Sequence, residues 1–334
     1  MVVHGFAETT DAMADQRSAT KQVAVALAVV RDTTGRLLIG RRAEQLHQGG
    51  LLEFPGGKIE PAELPEKAMV RELREETGLA ADVYRPLITV PHLYPAEFGQ
   101  PALQVTLHVY LVSDWSIGES LADGWSWVDL QSLQVKNFPA ANKSIFHALK
   151  LPDSMMITDH LQGSVKGRLA VINSAIARGA RLVCLRDPDL SNAAYQQVAA
   201  ELLGELKGQN CQVVVNCDPA LAVVADADGL HLNSTRLAAA QCRPVADDRW
   251  LSASCHSQLE LAQAQVLGVD FVTLSPVLPT RSHPGAATLG WSTFRQLVGQ
   301  TNLPTYALGG LGWDDLAIAQ QNGAQGVAGI SLFH

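Results

Sequence analysis

The stretch from residue 57 to residue 79 reads GKIEPAELPEKAMVRELREETGL, and it carries the most specific local pattern in the chain. Pro65 suits the first turn of a helix, because the N–H that proline lacks would have no partner there. Gly78 suits the position just past a helix end, where the backbone is often left-handed. The pattern therefore predicts a helix that begins near Pro65 and ends before Gly78.

Three glutamates share one face of this predicted helix. Glu72, Glu75 and Glu76 stand three and four residues apart, which makes them neighbours on the helix surface. Like charges at this spacing destabilise a helix by about 0.2–0.5 kcal/mol per pair. A hard dication removes the repulsion, and Mg²⁺ prefers carboxylate oxygens, water and phosphates. A solvated acidic face is the alternative, but the preceding Gly56-Gly57 pair and the fixed spacing favour a metal site.

The spacing is that of the Nudix signature: Gly57, five residues, Glu63, seven residues, then RELREETGL over residues 71–79. The chain therefore resembles the Nudix hydrolases, Mg²⁺-dependent enzymes that cleave a nucleoside diphosphate linked to another group. The resemblance implies Mg²⁺ as the cofactor, with Mn²⁺ as a substitute. It also implies a set of catalytic and metal-binding groups, namely the Gly56 carbonyl, Arg71, Glu72, Glu75 and Glu76.

Within that family the chain is most similar to the MutT type, which hydrolyses 8-oxo-dGTP. The similarity covers residues 21–150 and rests on GRLLIGRRAEQLHQGGLLEFPGGKIEP (35–61) and NFPAAN (137–142). It implies that Arg42 and Phe54 bind the substrate and that Asn142 reads the purine edge, since an amide offers a donor beside an acceptor. Two alternatives stay open. Arg42 is a plain surface charge, or Asn142 caps the helix that follows it.

MutT-type enzymes use a further glutamate, on a loop before a Trp-containing strand, as a metal ligand and base. The counterpart in SIGESLADGWSWV is Glu119. Its distance to Trp125 fits the family, whereas the distance from Trp127 to Phe138 makes Trp127 the equivalent tryptophan and implies a two-residue insertion. A solvated loop acid is the alternative for Glu119.

Length and composition divide the chain into two globular domains. Its 334 residues exceed what one hydrophobic core usually serves, and 47% hydrophobic with 17% charged residues is typical of compact proteins. The net charge of −8 argues against a nucleic-acid polymer as partner. We expect a flexible tail over residues 1–20, a Nudix domain over 21–150, a linker over 151–154 and a second domain over 155–334.

The sequence also bears on the cellular compartment. The five cysteines all lie in the second half and form no C-x-x-C pair, which favours buried free thiols in a reducing cytoplasm. Residues 1–20 lack the apolar stretch of a signal peptide, and no apolar run approaches a membrane span in length. We expect a cytoplasmic protein with no membrane partner, and the sequence leaves its oligomeric state open.

Strand patterns in the first half predict a mixed sheet. Residues 23–30 form a β-branched and alanine run, a turn follows at 32–35, and residues 37–39 continue as a second strand, which predicts a hairpin. Residues 103–112 alternate as a further strand, and residues 141–149 are helical. The expected architecture is the α/β/α sandwich of Nudix proteins.

The second half alternates strand-like and helix-like segments, which predicts a (β/α)₈ barrel. Helical patterns at 192–207 and 257–267 lie between the strands, and the usual last helix is expected to be missing. The eight predicted strands are 155–158, 182–185, 212–215, 229–232, 251–253, 271–274, 305–308 and 326–330.

The loops of this half resemble thiamine phosphate synthase and its relative TenI. The matching segments are ITDH (157–160), LRD (185–187), NCDPALAV (216–223), ADGLHL (227–232), SASCHS (252–257), LSPVLPTRSHPG (274–285), ALGGL (307–311) and GVAGIS (326–331). The resemblance implies a phosphate site at Gly309, Gly310 and Gly329, because glycines let backbone N–H groups approach an anion. Simple turn glycines are the alternative.

The synthase's catalytic positions are replaced in this chain. Pro188 and His283 stand where the family has lysines, and Cys217 and Arg236 stand where it has metal-binding aspartates. The TenI histidine aligns with Pro276. His256 and His283 lie at strand ends, where barrel sites form, but a lone histidine is more often structural. The barrel is therefore expected to be degenerate, with a phosphorylated thiazole or thiamine-like molecule as its ligand.

Three functional hypotheses follow from the sequence. The first is a MutT-type pyrophosphohydrolase that releases a nucleoside monophosphate and pyrophosphate and so cleans the nucleotide pool in support of DNA repair. The second keeps the hydrolase but gives it a pyrophosphate from thiamine metabolism. The third makes the barrel a ligand-binding module that tunes the Nudix domain, and residual synthase activity is the least favoured hypothesis.

Overall fold

The computed structural model describes residues 20–45, 48–96, 101–118, 120–159, 164–280, 285 and 287–333. The first part of the chain forms seven strands and two helices. They are β1 (Lys21–Val30), β2 (Leu37–Arg41), β3 (Leu52–Glu53), β4 (Gly56–Lys58), α1 (Pro65–Thr77), β5 (Leu79–Tyr94), β6 (Leu103–Ile117), β7 (Ser126–Val128) and α2 (Lys143–Lys150).

Four of these strands form the central mixed sheet in the order β4-β1-β6-β5. β1 runs parallel to β6 and antiparallel to β4, and β5 pairs with β6 through several register shifts. Side chains alternate along β1, as a strand requires. Ala26 and Ala28 join the cluster under α1, whereas Leu27 and Val29 join the cluster that includes Phe146 of α2. The predicted α/β/α sandwich is confirmed.

The predicted hairpin is wrong, although both of its strands form. β2 pairs with β3 and β7 in a separate three-stranded sheet, and a single bridge between Arg31 and Leu37 is what remains of the β1–β2 pairing. The long edges of β1 are taken by β4 and β6 instead. Strand pairing here follows from distant partners, which the local turn pattern does not encode.

The second part of the chain is a closed barrel of eight parallel strands, as predicted. Its elements are β8 (Ser154–Ile157), α3 (Val165–Ala177), β9 (Leu182–Leu185), α4 (Asn192–Leu206), β10 (Gln212–Val215), β11 (Gly229–Leu232), α5 (Ser234–Ala239), β12 (Trp250–Cys255), α6 (Gln258–Leu267), β13 (Phe271–Leu274), α7 (Gly290–Val298), β14 (Thr305–Leu308), α8 (Leu316–Gln321) and β15 (Gly326–Gly329).

Apolar side chains fill the barrel and the layer between its strands and helices. Met155, Phe271 and Tyr306 are among the buried residues of the interior cluster. Residues 330–333, the described part after β15, contain bends and turns.

Two further findings bear on the sequence predictions. The five cysteines are free, and Cys184, Cys217 and Cys255 are buried, where burial raises the pKa of each thiol. In the part of the chain that the structure describes, no helix has the length and apolar character needed to cross a bilayer.

Candidate active site

The acidic face predicted from residues 57–79 lies on α1. The helix starts with Pro65 in its first turn and ends at Thr77; Gly78 follows with a left-handed φ of 78°, and its N–H donates to the Arg74 carbonyl. Ala68, Met69, Leu73 and Thr77 are the buried residues of the helix. Packing of that apolar stripe turns Glu72 and Glu75 away from the core, with side chains 17% and 60% exposed.

Glu76 lies between the exposed face and the core, and its carboxylate is anchored. The Gly56 N–H on β4 donates to Glu76 Oε2 at 2.9 Å. Burial is the main reason that the pKa of Glu76 is raised to about 7; the charges of Glu53 and Glu72 also raise it, and the Gly56 N–H opposes the rise. A carboxyl crowded by two other acids in a desolvated site is chemically suited to a cation.

Glu72 occupies space that is open only because residue 57 is glycine. A Cβ added at Gly57 would lie 2.3 Å from the Cδ atom of Glu72. Arg71 Nη1 donates to Glu72 Oε1 at 2.7 Å and holds the carboxylate beside the Gly56-Gly57 strand. The Gly56-Gly57 pair thus accommodates two glutamates. The Gly56 N–H binds Glu76, and the lack of a side chain at Gly57 leaves room for Glu72.

Arg71 ties the helix to the loop before it. Its guanidinium donates to both carboxylate oxygens of Glu63, at 3.0 and 2.9 Å, and to the Lys58 carbonyl at 3.2 Å. The hydrogen bonds from Arg71 lower the pKa of Glu63 to about 2. These contacts give Arg71 a positioning role toward Glu72 and the 58–63 loop, while its predicted catalytic role stays a prediction.

The donor set fits a hard dication. Glu53 and Glu72 are close enough to raise the pKa of Glu76, and carboxylate oxygens such as those of the predicted ligands Glu72, Glu75 and Glu76 are the ones that Mg²⁺ prefers. Among the described residues, no three acidic, histidine or cysteine side chains already converge as a metal cluster, since Glu72 turns to Arg71 and Glu76 to the Gly56 N–H. The structure brings the Gly56 N–H, not its carbonyl, into contact with Glu76.

Arg42 lies next to these acids. Its Nη1 atom donates to Glu53 Oε2 at 2.8 Å, and its side chain is 26% exposed. Burial raises the pKa of Glu53, and the charge of Arg42 opposes that rise. Arg42 is therefore paired with an acid next to the predicted metal site, and its contact with substrate stays a prediction.

Asn142 is 4% exposed and sits where a 3-10 turn over Ala140–Asn142 enters α2. Its side chain makes no capping hydrogen bond to the helix, so the capping alternative is wrong. The preceding Ala141 N–H donates to the Tyr94 hydroxyl at 3.4 Å, and Arg42 influences the pKa of that same hydroxyl. The Tyr94 hydroxyl thus lies between the residue before Asn142 and the charge of Arg42.

Phe54 is a core residue in this structure. Its ring is 2% exposed and stacks on Phe138 at a centroid distance of 5.4 Å, with Phe146 at 6.2 Å. The Phe54 ring therefore packs in the core against Phe138 and Phe146, and its contact with substrate stays a prediction. The FPGG and NFPAAN segments meet through this aromatic contact.

Sequence reasoning gave no role to Glu53, Tyr94 or Trp125, which the structure places at the site. The Trp125 indole N–H donates to the Glu76 carbonyl at 3.0 Å, whereas Trp127 of β7 lies opposite Leu38 of β2 in the antiparallel strand pair. Glu53 lies inside the EFPGGK motif, a signal that could have found it. Glu119, the predicted base, lies outside the described residues.

The barrel glycines have structural causes that require no phosphate. Gly309 and Gly310 have φ of 102° and 69°, and added Cβ atoms would approach Pro276 Cα to 2.9 Å and the Pro279 carbonyl oxygen to 2.3 Å. At Gly329 a Cβ would lie 2.9 Å from Leu332 Cγ. Their phosphate role stays a prediction.

The barrel mouth holds a buried histidine that sequence reasoning missed. His231 bonds to the hydroxyls of Ser252 and Ser254, both at 2.9 Å, and its pKa falls to about 4 through burial and the charges of Arg186 and Arg236. His256 Nδ1 contacts the Ser275 carbonyl at 2.8 Å, which supports a structural role. His283 lies outside the described residues.

We expect Gly57→Ala to lower kcat about tenfold with little change in Tm, because the new methyl group displaces the flexible end of Glu72 and so a proposed ligand. The matched control is Gly56→Ala. Its Cβ would meet the Ala26 carbonyl oxygen at 2.1 Å from a φ of 147°, so Tm should fall there. Steady-state kinetics and thermal unfolding check both, and an unchanged kcat in Gly57→Ala would contradict the placement of Glu72.

The raised pKa of Glu76 predicts a pH-dependent stability in the absence of metal. The folded protein favours the protonated carboxyl, so this contribution is complete below the ordinary pKa of 4.5 and is lost as the pH rises through about 7. In EDTA, Tm should therefore fall over that window more steeply in the wild type than in Glu76→Gln. Thermal unfolding across pH tests this, and parallel curves for the two proteins would contradict it.

Comparison with known proteins agrees with both halves of the structure. A NUDIX domain family model matches residues 20–149, and the model for thiamine monophosphate synthase matches residues 154–333. The 8-oxo-dGTP diphosphatase of Escherichia coli is 35% identical over 133 residues, which are 39% of this chain and 98% of that protein. A putative thiamine-phosphate synthase 2 of Aquifex aeolicus is 32% identical over 185 residues, 55% of this chain and 99% of that protein.

Among solved structures, a MutT Nudix hydrolase from Burkholderia pseudomallei is 28% identical, covers 34% of this chain and 88% of its own, and has a TM-score of 0.30. The family matches make the protein a hydrolase of pyrophosphate bonds. The chain belongs to the Nudix hydrolase family through residues 20–149 and to the thiamine monophosphate synthase family through residues 154–333.

Proposed function

We propose that the protein is a Mg²⁺-dependent nucleoside triphosphate pyrophosphohydrolase that prefers an oxidised purine nucleotide such as 8-oxo-dGTP. One observation carries the proposal. Glu53 and Glu72 act on the carboxyl of Glu76, Arg42 pairs with Glu53, and the Tyr94 hydroxyl that feels the charge of Arg42 accepts from the N–H of Ala141, the residue before the buried Asn142. Phosphate chemistry and base recognition are thus adjacent.

In the proposed reaction, water attacks a phosphorus atom of the triphosphate, and a nucleoside monophosphate and pyrophosphate leave. Glu72, Glu75 and Glu76 would hold Mg²⁺, which supplies charge stabilisation to the pyrophosphate oxygens. Arg71 holds Glu72 in place, and the Gly56 N–H fixes one oxygen of Glu76. Arg42, which pairs with Glu53, would bind a phosphate group of the substrate, because a planar guanidinium can donate two parallel hydrogen bonds to a phosphate.

The test is a product assay on the purified full chain with Mg²⁺. We expect 8-oxo-dGTP to yield 8-oxo-dGMP and pyrophosphate, with no inorganic phosphate as first product. Release of inorganic phosphate, or equal turnover with EDTA in place of Mg²⁺, would overturn the assignment.

A second proposal concerns the barrel, whose mouth would bind a phosphorylated thiazole or thiamine-like molecule. The supporting observation is Arg236 at the mouth, whose charge lowers the pKa of His231; Arg186 acts on His231 in the same direction but is paired with Asp159. Arg236 donates to the neutral Asn216 amide oxygen at 2.9 Å. Calorimetry of the full chain with thiamine phosphate should show binding that Arg236→Gln weakens, and no heat of binding to the wild type would end this proposal.

A further inference from the structure

The first structural unit meets the N-terminal ends of the barrel strands through α2, and its strand β5 also packs against α8 of the barrel. His147 of α2 lies edge-on to the ring of Trp250, with centroids 5.6 Å apart, and its Nδ1 atom is 3.7 Å from Asp270 Oδ1. Trp250 begins β12, and Asp270 immediately precedes β13. This is the face opposite to the mouth at which barrel sites form.

A buried glutamine of the barrel receives the end of α2. Gln325 precedes β15 and is 3% exposed, and its Nε2 atom donates to the carbonyls of Ala148 at 3.0 Å, Leu151 at 3.0 Å and Pro152 at 3.3 Å. These carbonyls belong to the last turn of the helix and the segment after it, which have no partners within a helix. Gln325 Oε1 has no hydrogen-bond partner within the described residues, so the three carbonyls that accept from Nε2 set the orientation of the amide.

The barrel partners of α2 are themselves held rigidly. Asp270 accepts from Arg243 Nη2 at 2.7 Å and from the Leu251 N–H at 2.8 Å. The hydroxyl of Tyr306, a fully buried residue of β14, donates to the Pro152 carbonyl at 2.6 Å. The end of α2 and the segment after it therefore rest on groups in, or directly before, four barrel strands, β12 to β15.

The other end of the same helix carries the residue proposed to read the base. Asn142 directly precedes α2, and the helix spans eight residues, or roughly 12 Å at 1.5 Å per residue. Phe146 packs between the two ends against Phe54 and Phe138. Because α2 is short, contacts that fix its C-terminal end also fix the position of Asn142 at its N-terminal end.

We propose that the N-terminal face of the barrel acts as a platform that positions Asn142 through α2, with Gln325 as the main positioning residue. The barrel thereby contributes to the substrate specificity of the hydrolase without touching the nucleotide. The specificity arm of this inference rests on the function proposed above, whereas the docking arm stands on the contacts alone. No ligand in the barrel mouth is needed for it.

The test uses the full chain with Gln325→Met, which keeps the size of the side chain and removes its donors. The matched control is Gln263→Met, which removes the 2.9 Å bond from Gln263 Nε2 of α6 to the Leu237 carbonyl of α5, in the outer helical layer and away from α2. Because Gln325 is buried, His147→Ala serves as a milder second variant that removes the contacts with Asp270 and Trp250 from the α2 side.

Two readouts are measured on each protein. We expect faster amide hydrogen exchange over residues 143–151 in Gln325→Met and His147→Ala, and no change there in the control. We also expect the preference for 8-oxo-dGTP over dGTP, as a ratio of kcat/KM, to fall about threefold to tenfold through KM, with kcat retained. Added Mg²⁺ should not restore the preference in either variant, because neither substitution changes a predicted metal ligand.

Unchanged exchange over residues 143–151 in both variants, or an equal change in Gln263→Met, would overturn the docking role. Faster exchange with an unchanged substrate preference would overturn the link to specificity. A wild-type protein with no preference for 8-oxo-dGTP refutes the proposed function instead, and the exchange experiment still decides whether the barrel holds α2.

Discussion

Replacing Glu76 with Gln is expected to lower kcat/KM for 8-oxo-dGTP by about 10²–10³-fold, the range seen when one preorganised electrostatic group is removed from an active site. The glutamine amide would keep an oxygen able to accept the Gly56 N–H, so the strand and helix should stay in place. What is lost is the negative charge among Glu53, Glu72 and Glu76. Glu75→Gln, on the exposed side of the same face, is expected to show a collapse of the same kind.

The matched control is Glu66→Gln on the same helix. Glu66 Oε2 lies 3.5 Å from the Tyr110 hydroxyl, on the side of α1 away from the Gly56-Gly57 strand. Its activity should stay within about twofold of the wild type, as expected of a helix charge outside the site. Steady-state kinetics of pyrophosphate release on the three variants decides the matter, and a Glu76→Gln protein as active as Glu66→Gln would contradict the assignment.

Replacing Asn142 with Ala is expected to lower kcat/KM for 8-oxo-dGTP by about 10- to 100-fold, because a buried hydrogen bond to a purine edge is worth about 1–3 kcal/mol when its partner is left unpaired. The loss should appear in KM and in the ratio to dGTP. Since Asn142 makes no capping bond, α2 itself should not be weakened by the change.

The control for this experiment is Asn137→Ala, an exposed asparagine in the preceding 3-10 turn. It should leave both kinetic constants and the substrate ratio unchanged. An Asn142→Ala protein that keeps its preference for 8-oxo-dGTP while losing thermal stability would show that Asn142 is a structural residue.

The helix and its glutamates were predictable from sequence because their geometry is local. The 3.6-residue period fixes the relation of Glu72, Glu75 and Glu76, and the proline and glycine at its ends fix the limits of α1. The barrel strands were predictable for a similar reason. Parallel strands buried on both faces form short continuous apolar runs that stand out between helices.

Long-range contacts account for what the sequence did not predict. The anchor between Gly56 and Glu76 spans 20 residues, and the contact between Tyr94 and Ala141 spans 47. The burial of Phe54 under Phe138 and the division of β1 and β2 between two sheets depend likewise on segments far apart in the chain. Local patterns carry no information on these pairings, which tertiary packing sets.

The two roles proposed for the barrel lie at opposite ends of its strands. α2 occupies the N-terminal face of the barrel, whereas Arg186, Arg236 and His231 lie at the other end of the strands. A small molecule at the barrel mouth would therefore leave the α2 platform in place. Binding there and support of the hydrolase are compatible.

The most direct test of the central claim is kcat/KM of the full chain with Mg²⁺, measured side by side for 8-oxo-dGTP, dGTP and the pyrophosphates of hydroxymethylpyrimidine and thiamine. We expect the highest value for 8-oxo-dGTP, with 8-oxo-dGMP and pyrophosphate as products and with the activity lost in Glu76→Gln. A higher kcat/KM for hydroxymethylpyrimidine pyrophosphate or thiamine pyrophosphate would contradict it and place the substrate of the Nudix site in thiamine chemistry.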